Sequence, residues 1–329
     1  MKFGEIEQQT RKIFPDWDSP ALRFFPVEKG GSGRIFVRVE KERGGDSMIA
    51  MHFTNDRPDN ARFASITDFL LEHGVHAPAI IERREEQGLL WVEDLGEEDL
   101  GNLAGEPWEP ARRIAYESAL ETVFTVHKVS ESDPPNYLPE LENGFDSELY
   151  QWEQNYFFDH YVSNFGPDGS VSIRDDKSLS GLCEVLGGEP RFLVHRDFQC
   201  TNVMIRMGKS FLIDYQGLRW GLPEYDLASM IYDPYSEFAE SEQDSLTKFY
   251  YELARRNGRE EDFETFRTRL DRCAIQRLMQ ALGAYGFLGL VKGKEEFLQH
   301  IPTAVSRLKA IAVDRGVLPV LEKCLVEKE

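Results

Sequence analysis

Between Phe192 and Asp233 the chain reads FLVHRDFQCTNVMIRMGKSFLIDYQGLRWGLPEYDLASMIYD, which sets Asp197, Asn202 and Asp214 each at the edge of a short apolar run. Phe192, Leu193 and Val194 are expected to form a buried strand that delivers His195, Arg196 and Asp197 to a loop. Val203, Met204 and Ile205 read as the strand that leaves it. A turn over 207–210 then reverses the chain into Phe211, Leu212 and Ile213, so that Asp214 returns to the side of Asn202. A carboxamide and a carboxylate on neighbouring strand ends suit Mg²⁺, a hard cation that takes few protein oxygens and completes its shell with phosphates and water. Asp197 is left to face an acceptor hydroxyl. An isolated Asp at a strand end is an ordinary turn former; the ordered set of Asp, Asn and strand-borne Asp is the layout of a phosphoryl-transfer centre. His195 is expected to be a buried packing and hydrogen-bonding residue with no part in proton transfer.

The string HRDFQCTNVM at 195–204, followed by IDYQGLRWGLPEYDLASMIYDPY at 213–235, resembles the aminoglycoside phosphotransferase and choline kinase branch of the protein-kinase-like fold. That branch carries HxDxxxxN and then ID where protein kinases carry DFG. With WVEDLG at 91–96 and QALGAYGFL at 280–288, the chain is most similar to bacterial cell-wall amino-sugar kinases, the anomeric kinases of N-acetylmuramate and N-acetylglucosamine. The resemblance spans nearly the whole chain. It implies an α+β, two-lobed protein-kinase-like fold, with a small antiparallel-sheet N-lobe and a larger, mainly helical C-lobe.

Length and charge agree with that expectation. At 329 residues the chain exceeds the usual size of one core, so two lobes are expected, and 41% hydrophobic residues can pack both. No apolar run approaches the roughly 20 residues needed to cross a bilayer. The opening MKFGEIEQQTRKIF is too polar for a signal peptide, so a cytoplasmic protein without a membrane partner is expected. Cys183, Cys200, Cys273 and Cys324 are scattered and form no metal or disulfide pattern. A net charge of −20 argues against a broad surface for nucleic acid.

The N-terminal nucleotide-binding lobe is expected over 1–94 and the catalytic and substrate-binding lobe over 95–329. Apolar segments around 24–39, 47–53, 76–81 and 89–92 read as strands. Phe63, Ile66, Phe69 and Leu70 share one face of a helix over 60–73. Beyond Leu95 longer helical patterns follow at 109–128, 148–164, 243–257, 261–291 and 294–313. The aromatic-rich YQWEQNYFFDHY reads as core and cleft wall.

Gly30, Gly31, Ser32, Gly33 and Arg34 form a glycine-rich turn whose small residues would let backbone amides approach phosphate. Glu93, Asp94 and Leu95 are expected, by the resemblance, at the hinge where main-chain groups meet adenine. Protein kinases place a Lys on the third strand; here SMIAMHF offers only Met51 or His52, which shifts the phosphate contact to Arg34 or Arg38, with His52 a weaker candidate. On the acceptor side, Gln199 and Gln216 offer amides to sugar hydroxyls. Arg219 could meet an acidic substituent or else pair with Glu224 or Asp226. Asp226 reads as an anchor of the catalytic loop. Gln276, Arg277 and Gln280 could line the cleft or pack the helix.

The expected activity is phosphorylation of a small hydroxyl compound with ATP and Mg²⁺, the acceptor most plainly an amino sugar. Asp197 is the catalytic base, and Asn202 and Asp214 are the metal ligands. An aminoglycoside or choline-like acceptor and a nucleotide-binding pseudokinase are the alternatives. The absence of DFG and APE segments argues against a protein kinase.

Overall fold

The fold is taken from a computed structural model that describes residues 3–17, 22–27, 34–41, 45–54 and 57–325. Helix α1 (Phe3–Ile13) precedes strands β1 (Arg23–Val27), β2 (Ile35–Glu40) and β3 (Ser47–His52). Then come helix α2 (Pro58–Glu72) and strands β4 (Ile80–Arg84) and β5 (Leu89–Glu93). The strands form one antiparallel sheet in the order β1-β2-β3-β5-β4.

Strand alternation splits this sheet into two environments. Val37, Val39, Met48, Ala50, Leu89 and Trp91 face α1, where they pack with Ile6, and Trp91 Nε1 donates to Thr10 Oγ1 at 3.0 Å. Met51, Leu90 and Val92 face the other way and join Phe63, Ile66, Phe69 and Leu70 of α2, the residues the helical spacing set on one face. Pro58 opens that helix at a position where its missing N–H costs nothing.

The rest of the chain is mainly helical: α3 (Arg113–His127), α4 (Ser147–Phe157), the single turn α5 (Ser163–Phe165) and α6 (Lys177–Gly187) come first. Three short elements follow, β6 (Phe192–Val194), β7 (Val203–Arg206) and β8 (Lys209–Leu212), and then β9 (Arg219–Gly221). Helices α7 (Pro223–Ile231), α8 (Glu240–Arg256), α9 (Phe263–Gly286) and α10 (Ile301–Lys309) complete the lobe. The expected α+β, two-lobed arrangement is therefore present. Among the described residues no helix is long and apolar enough to cross a membrane.

Some elements differ from their sequence patterns. Residues 76–79 are irregular and the strand starts at Ile80, while 294–313 breaks into turns of differing pitch around α10. Helix α3 begins only at Arg113 because Glu109 is extended ahead of Pro110; proline disfavours helical backbone in the residue before it. Helices α6 and α7 were not among the expected elements.

The apolar core continues from the inner sheet face through α2 into the helical lobe. Helix α9 runs through it and at two glycines closely approaches α4 and the turn that follows it. A Cβ on Gly283 would stand 2.8 Å from the Tyr156 ring and 2.9 Å from its carbonyl, and one on Gly286 would stand 2.2 Å from the His160 carbonyl oxygen. Backbone cannot yield as a flexible side chain does. Gly286→Ala is therefore expected to cost about 1–3 kcal/mol, read as a lowered denaturant midpoint with an unchanged slope; an unaltered midpoint would show that the two segments can separate freely.

Candidate active site

Strands β6 and β9 pair antiparallel, Phe192 opposite Gly221 and Val194 opposite Arg219, and deliver the loop that carries Asp197. The loop turns through Arg196, whose φ of 78° lies in the left-handed region that non-glycine residues avoid. Asp226, fully buried on α7, holds that turn. Its carboxylate accepts from the His195 N–H at 2.6 Å and the Arg196 N–H at 2.8 Å, and contacts His127 Nε2 at 3.0 Å. His195, itself buried, bonds through Nε2 to the Ile213 carbonyl at 2.9 Å, joining the loop to the chain that enters Asp214.

The hairpin β7–β8 closes on Met207 and Gly208, both with positive φ, the backbone a two-residue hairpin turn requires. Past it, the Ile213 N–H donates to the Asn202 carbonyl at 3.1 Å, which places Asp214 beside Asn202. Asp214 is itself left-handed, at φ 60° and ψ 32°. The Asn202 amide donates to the Asp197 carbonyl at 2.9 Å, and its Oδ1 has no partner among the described residues. Asp214 Oδ1 accepts from Arg34 at 2.9 Å and from Gln216 Nε2 at 2.9 Å. Asn202 Oδ1 and Asp214 Oδ2 thus remain as oxygen donors, a set that fits a hard cation completed by phosphate and water. No cluster of three or more His, Cys, Asp and Glu suited to a metal occurs among the described residues.

Asp197 lies among arginines. One carboxylate oxygen is bonded by the Arg196 guanidinium, and the other is 3.6 Å from Arg277 on α9. Burial pushes this carboxyl up, but the charges of Arg196 and Arg277 more than offset it and hold it at about 2. Arg277 is buried and also bonds Ser229 and Gln280. Arg277 is one of three residues of its helix expected to line the cleft or pack the helix, and it does the first; Arg196 has no role expected from the sequence, its only signal being a basic residue next to Asp197.

The candidates for the missing strand lysine separate by face. His52 alternates with Met48 and Ala50 and so lies on the α1 side, away from the cleft; burial lowers its affinity for a proton. Met51 is core. Arg38 does face the cleft, but its guanidinium is bonded to Asp94 at 2.7 and 3.1 Å, to the Gly96 carbonyl at 2.9 Å and to Glu97. It clamps the sheet to the connecting segment, contrary to its expected role as a phosphate contact. Arg34 is the candidate the geometry leaves, its nearly buried side chain reaching Asp214 and Gln216.

Gln216 is also placed differently from expectation. It is buried and its amide is spent on Arg34 and Asp214, so it braces the metal side of the cleft and does not offer itself to an acceptor. Gln199 sits with Ser229, Asp233 and Arg277 around a cavity of about 10 Å³, room for about one water. Arg219 makes no ion pair with Glu224 or Asp226: Glu224 is held by Arg269 at 2.9 Å, and Asp226 serves the loop. At the connecting segment, Glu93 is bonded to Arg206 and Asp94 to Arg38. Leu95 is buried and its peptide groups form no hydrogen bond among the described residues. Gly30, Gly31, Ser32 and Gly33 lie outside the described residues. A separate cavity of about 370 Å³ between α4 and α6 contains none of these residues.

Helix α2 is tied to the same site. Thr67 Oγ1 and the Tyr215 hydroxyl are 2.7 Å apart, and the Phe63 and Tyr215 rings stack at 5.2 Å.

A loop aspartate, a neighbouring carboxamide and a hairpin-borne aspartate beneath a five-stranded sheet define a phosphoryl-transfer enzyme on a protein-kinase-like scaffold. The profile of the phosphotransferase enzyme family matches residues 26–267, and the chain belongs to that family. A curated relative, the N-acetylmuramate/N-acetylglucosamine kinase of Neisseria meningitidis serogroup B, is 26% identical over 86% of this chain and 84% of its own length. The Pseudomonas aeruginosa protein of the same name is 26% identical over 93% of this chain and 88% of its own. Among solved structures, a choline kinase from Cryptosporidium parvum superposes with a TM-score of 0.64 at 14% identity, covering 99% of this chain and 100% of that one. An ADP-bound aminoglycoside phosphotransferase, APH(2'')-Ib, gives 0.62 at 12% identity over 94% and 99% of the two chains. These likenesses establish the shared fold.

Replacing one acceptor oxygen of Asp226 by an amide that donates leaves a buried N–H of the loop without a partner. Asp226→Asn is expected to lose about 1–3 kcal/mol of stability and to lower turnover as the loop shifts, measured by denaturant unfolding and steady-state kinetics. Full retention of both would remove Asp226 from its place as anchor.

Proposed function

We propose that this phosphotransferase is an ATP- and Mg²⁺-dependent kinase that phosphorylates an amino sugar of the N-acetylmuramate/N-acetylglucosamine kind at its anomeric hydroxyl, in the cytoplasm, as a step in the reuse of cell-wall sugars. The observation that carries the reading is the convergence of Asp197, Asn202 and Asp214 on one side of the cleft with Arg34 reaching the same point. The two curated relatives, each matched along most of its length, support the choice of acceptor.

In this reading the nucleotide lobe ends near residue 94 and the catalytic lobe begins at 95. Bound magnesium ATP supplies the phosphoryl group and neutralises charge across it. Asn202 Oδ1 and Asp214 Oδ2, the oxygens left unbonded among the described residues, would hold the metal, which would bridge charge on the phosphates. Arg34 moves its charge from Asp214 toward phosphate, and the Leu95 peptide offers a donor and an acceptor to the base. The glycine-rich turn at 30–33 covers the phosphates.

Asp197 acts first by orientation. A carboxylate held at about 2 is ionised throughout the working range but is a weak proton acceptor. It therefore receives the acceptor hydroxyl as a hydrogen bond and aims its oxygen, taking the proton only as bonding to phosphorus advances. The loose transition state of phosphoryl transfer tolerates that order, because positioning carries most of the rate gain.

Purified protein given ATP, Mg²⁺ and a panel of amino sugars, aminoglycosides and amino alcohols is expected to phosphorylate the amino sugars; turnover confined to another class would overturn the acceptor assignment. Asp197→Asn is expected to lower kcat about 10²–10⁴-fold while ADP affinity and the unfolding midpoint stay near those of the parent. Near-normal turnover in that variant would remove Asp197 from the centre.

A further inference from the structure

The acceptor side of the cleft holds an excess of positive charge in a chain whose net charge is −20. Three guanidiniums, from Arg196, Arg219 and Arg277, share the surroundings of one ionised carboxylate, Asp197. Arg219 stands on β9 opposite Val194, two residues before Arg196. Its Nε donates to the Gly217 carbonyl at 3.1 Å, and its guanidinium lies 5.3 Å from the centre of the Phe145 ring. The two terminal nitrogens have no partner among the described residues. Arg196 keeps a buried Nε without a partner as well.

Nearby acids offset this charge only in part. Glu153 is buried under Tyr225 and Gln276, and burial pushes its carboxyl up toward the neutral form, an effect that Gln276, Arg196 and Tyr225 offset only in part. Asp233 is pushed up to about 6 by burial, against the Tyr235 N–H and the charges of Arg277 and Arg307. Glu142 is held by Arg62 at 2.6 Å. Arg219 is pressed toward its neutral form by burial and then by Arg196. Asp197 pairs with Arg196 and lies near Arg277, but the two terminal nitrogens of Arg219 are left without an ion-pair partner among the described residues, and a desolvated guanidinium is costly without one.

We propose that the acceptor subsite is an anion site, in which Arg219, with Arg196 and Arg277, receives a carboxylate or phosphate monoester carried by the sugar and so sets acceptor specificity. The inference rests on the amino-sugar kinase reading and narrows it. The acceptor's negative charge gives the Arg219 terminal nitrogens a partner and seats the sugar with its hydroxyl toward Asp197. A polycationic aminoglycoside meets repulsion at the same place.

The test compares N-acetylglucosamine with two charged partners, N-acetylmuramate and N-acetylglucosamine 6-phosphate, by kcat/KM and by calorimetric binding without nucleotide. At least one charged sugar is expected to exceed the neutral one about tenfold or more, and which of the two does so tells carboxylate from phosphate. Arg219→Gln is expected to bring that ratio close to one through a rise in KM and Kd, and Arg219→Lys to restore part of it. Equal use of neutral and charged sugars by the parent protein, or a ratio unchanged in Arg219→Gln, overturns the anion site while leaving the kinase reading intact. Binding that prefers the charged sugar without phosphorylation of any of them overturns the kinase reading and keeps the anion site.

Discussion

The catalytic loop depends on a single buried carboxylate. Two successive peptide N–H groups point at Asp226, and the loop reaches this arrangement with Arg196 in the left-handed region. Left-handed backbone at a residue with a side chain costs about 1–2 kcal/mol, and two hydrogen bonds to a charged acceptor, each worth roughly 1.5–3 kcal/mol, exceed it. The turn then aims Asp197 outward beneath the sheet, while His195 fastens the loop to the strand that carries Asp214. Orientation at the site is thus set by backbone bonds to a helix side chain, well before any ligand takes part.

Arginine is used here in three different ways. Arg38 joins sheet to connecting segment through a forked pairing with Asp94 that no lysine could reproduce. Arg34 rests on Asp214 and Gln216. Arg196 and Arg277 grip the Asp197 carboxylate and keep it ionised in spite of burial. The balance between burial and paired charge decides each case.

Much of the site was legible because its geometry is local. Asp197, Asn202 and Asp214 are brought together by one short strand and one hairpin, so their spacing alone carries the arrangement. The face of α2 was legible for the same reason, since periodicity reports which side meets the core. Arg38, His52 and Gln216 were less so. Alternation tells that His52 and Met51 lie on opposite faces, but not which face meets α1 and which the cleft; that depends on packing across some 45 residues of sequence. Gln216 needed Arg34, separated from it by 182 positions, before its amide had a partner. Arg277 sits on a helix buried nearly all round, where no polar stripe marks a functional face.

The tie between α2 and Tyr215 carries a mechanical consequence for the sheet-side lobe. Swinging α2 outward would strand the Tyr215 hydroxyl, already buried, and part it from the Phe63 ring. Fastened to the residue next to Asp214, the helix and the end of the hairpin are coupled, so that a displacement of either one breaks a buried hydrogen bond and a ring stack.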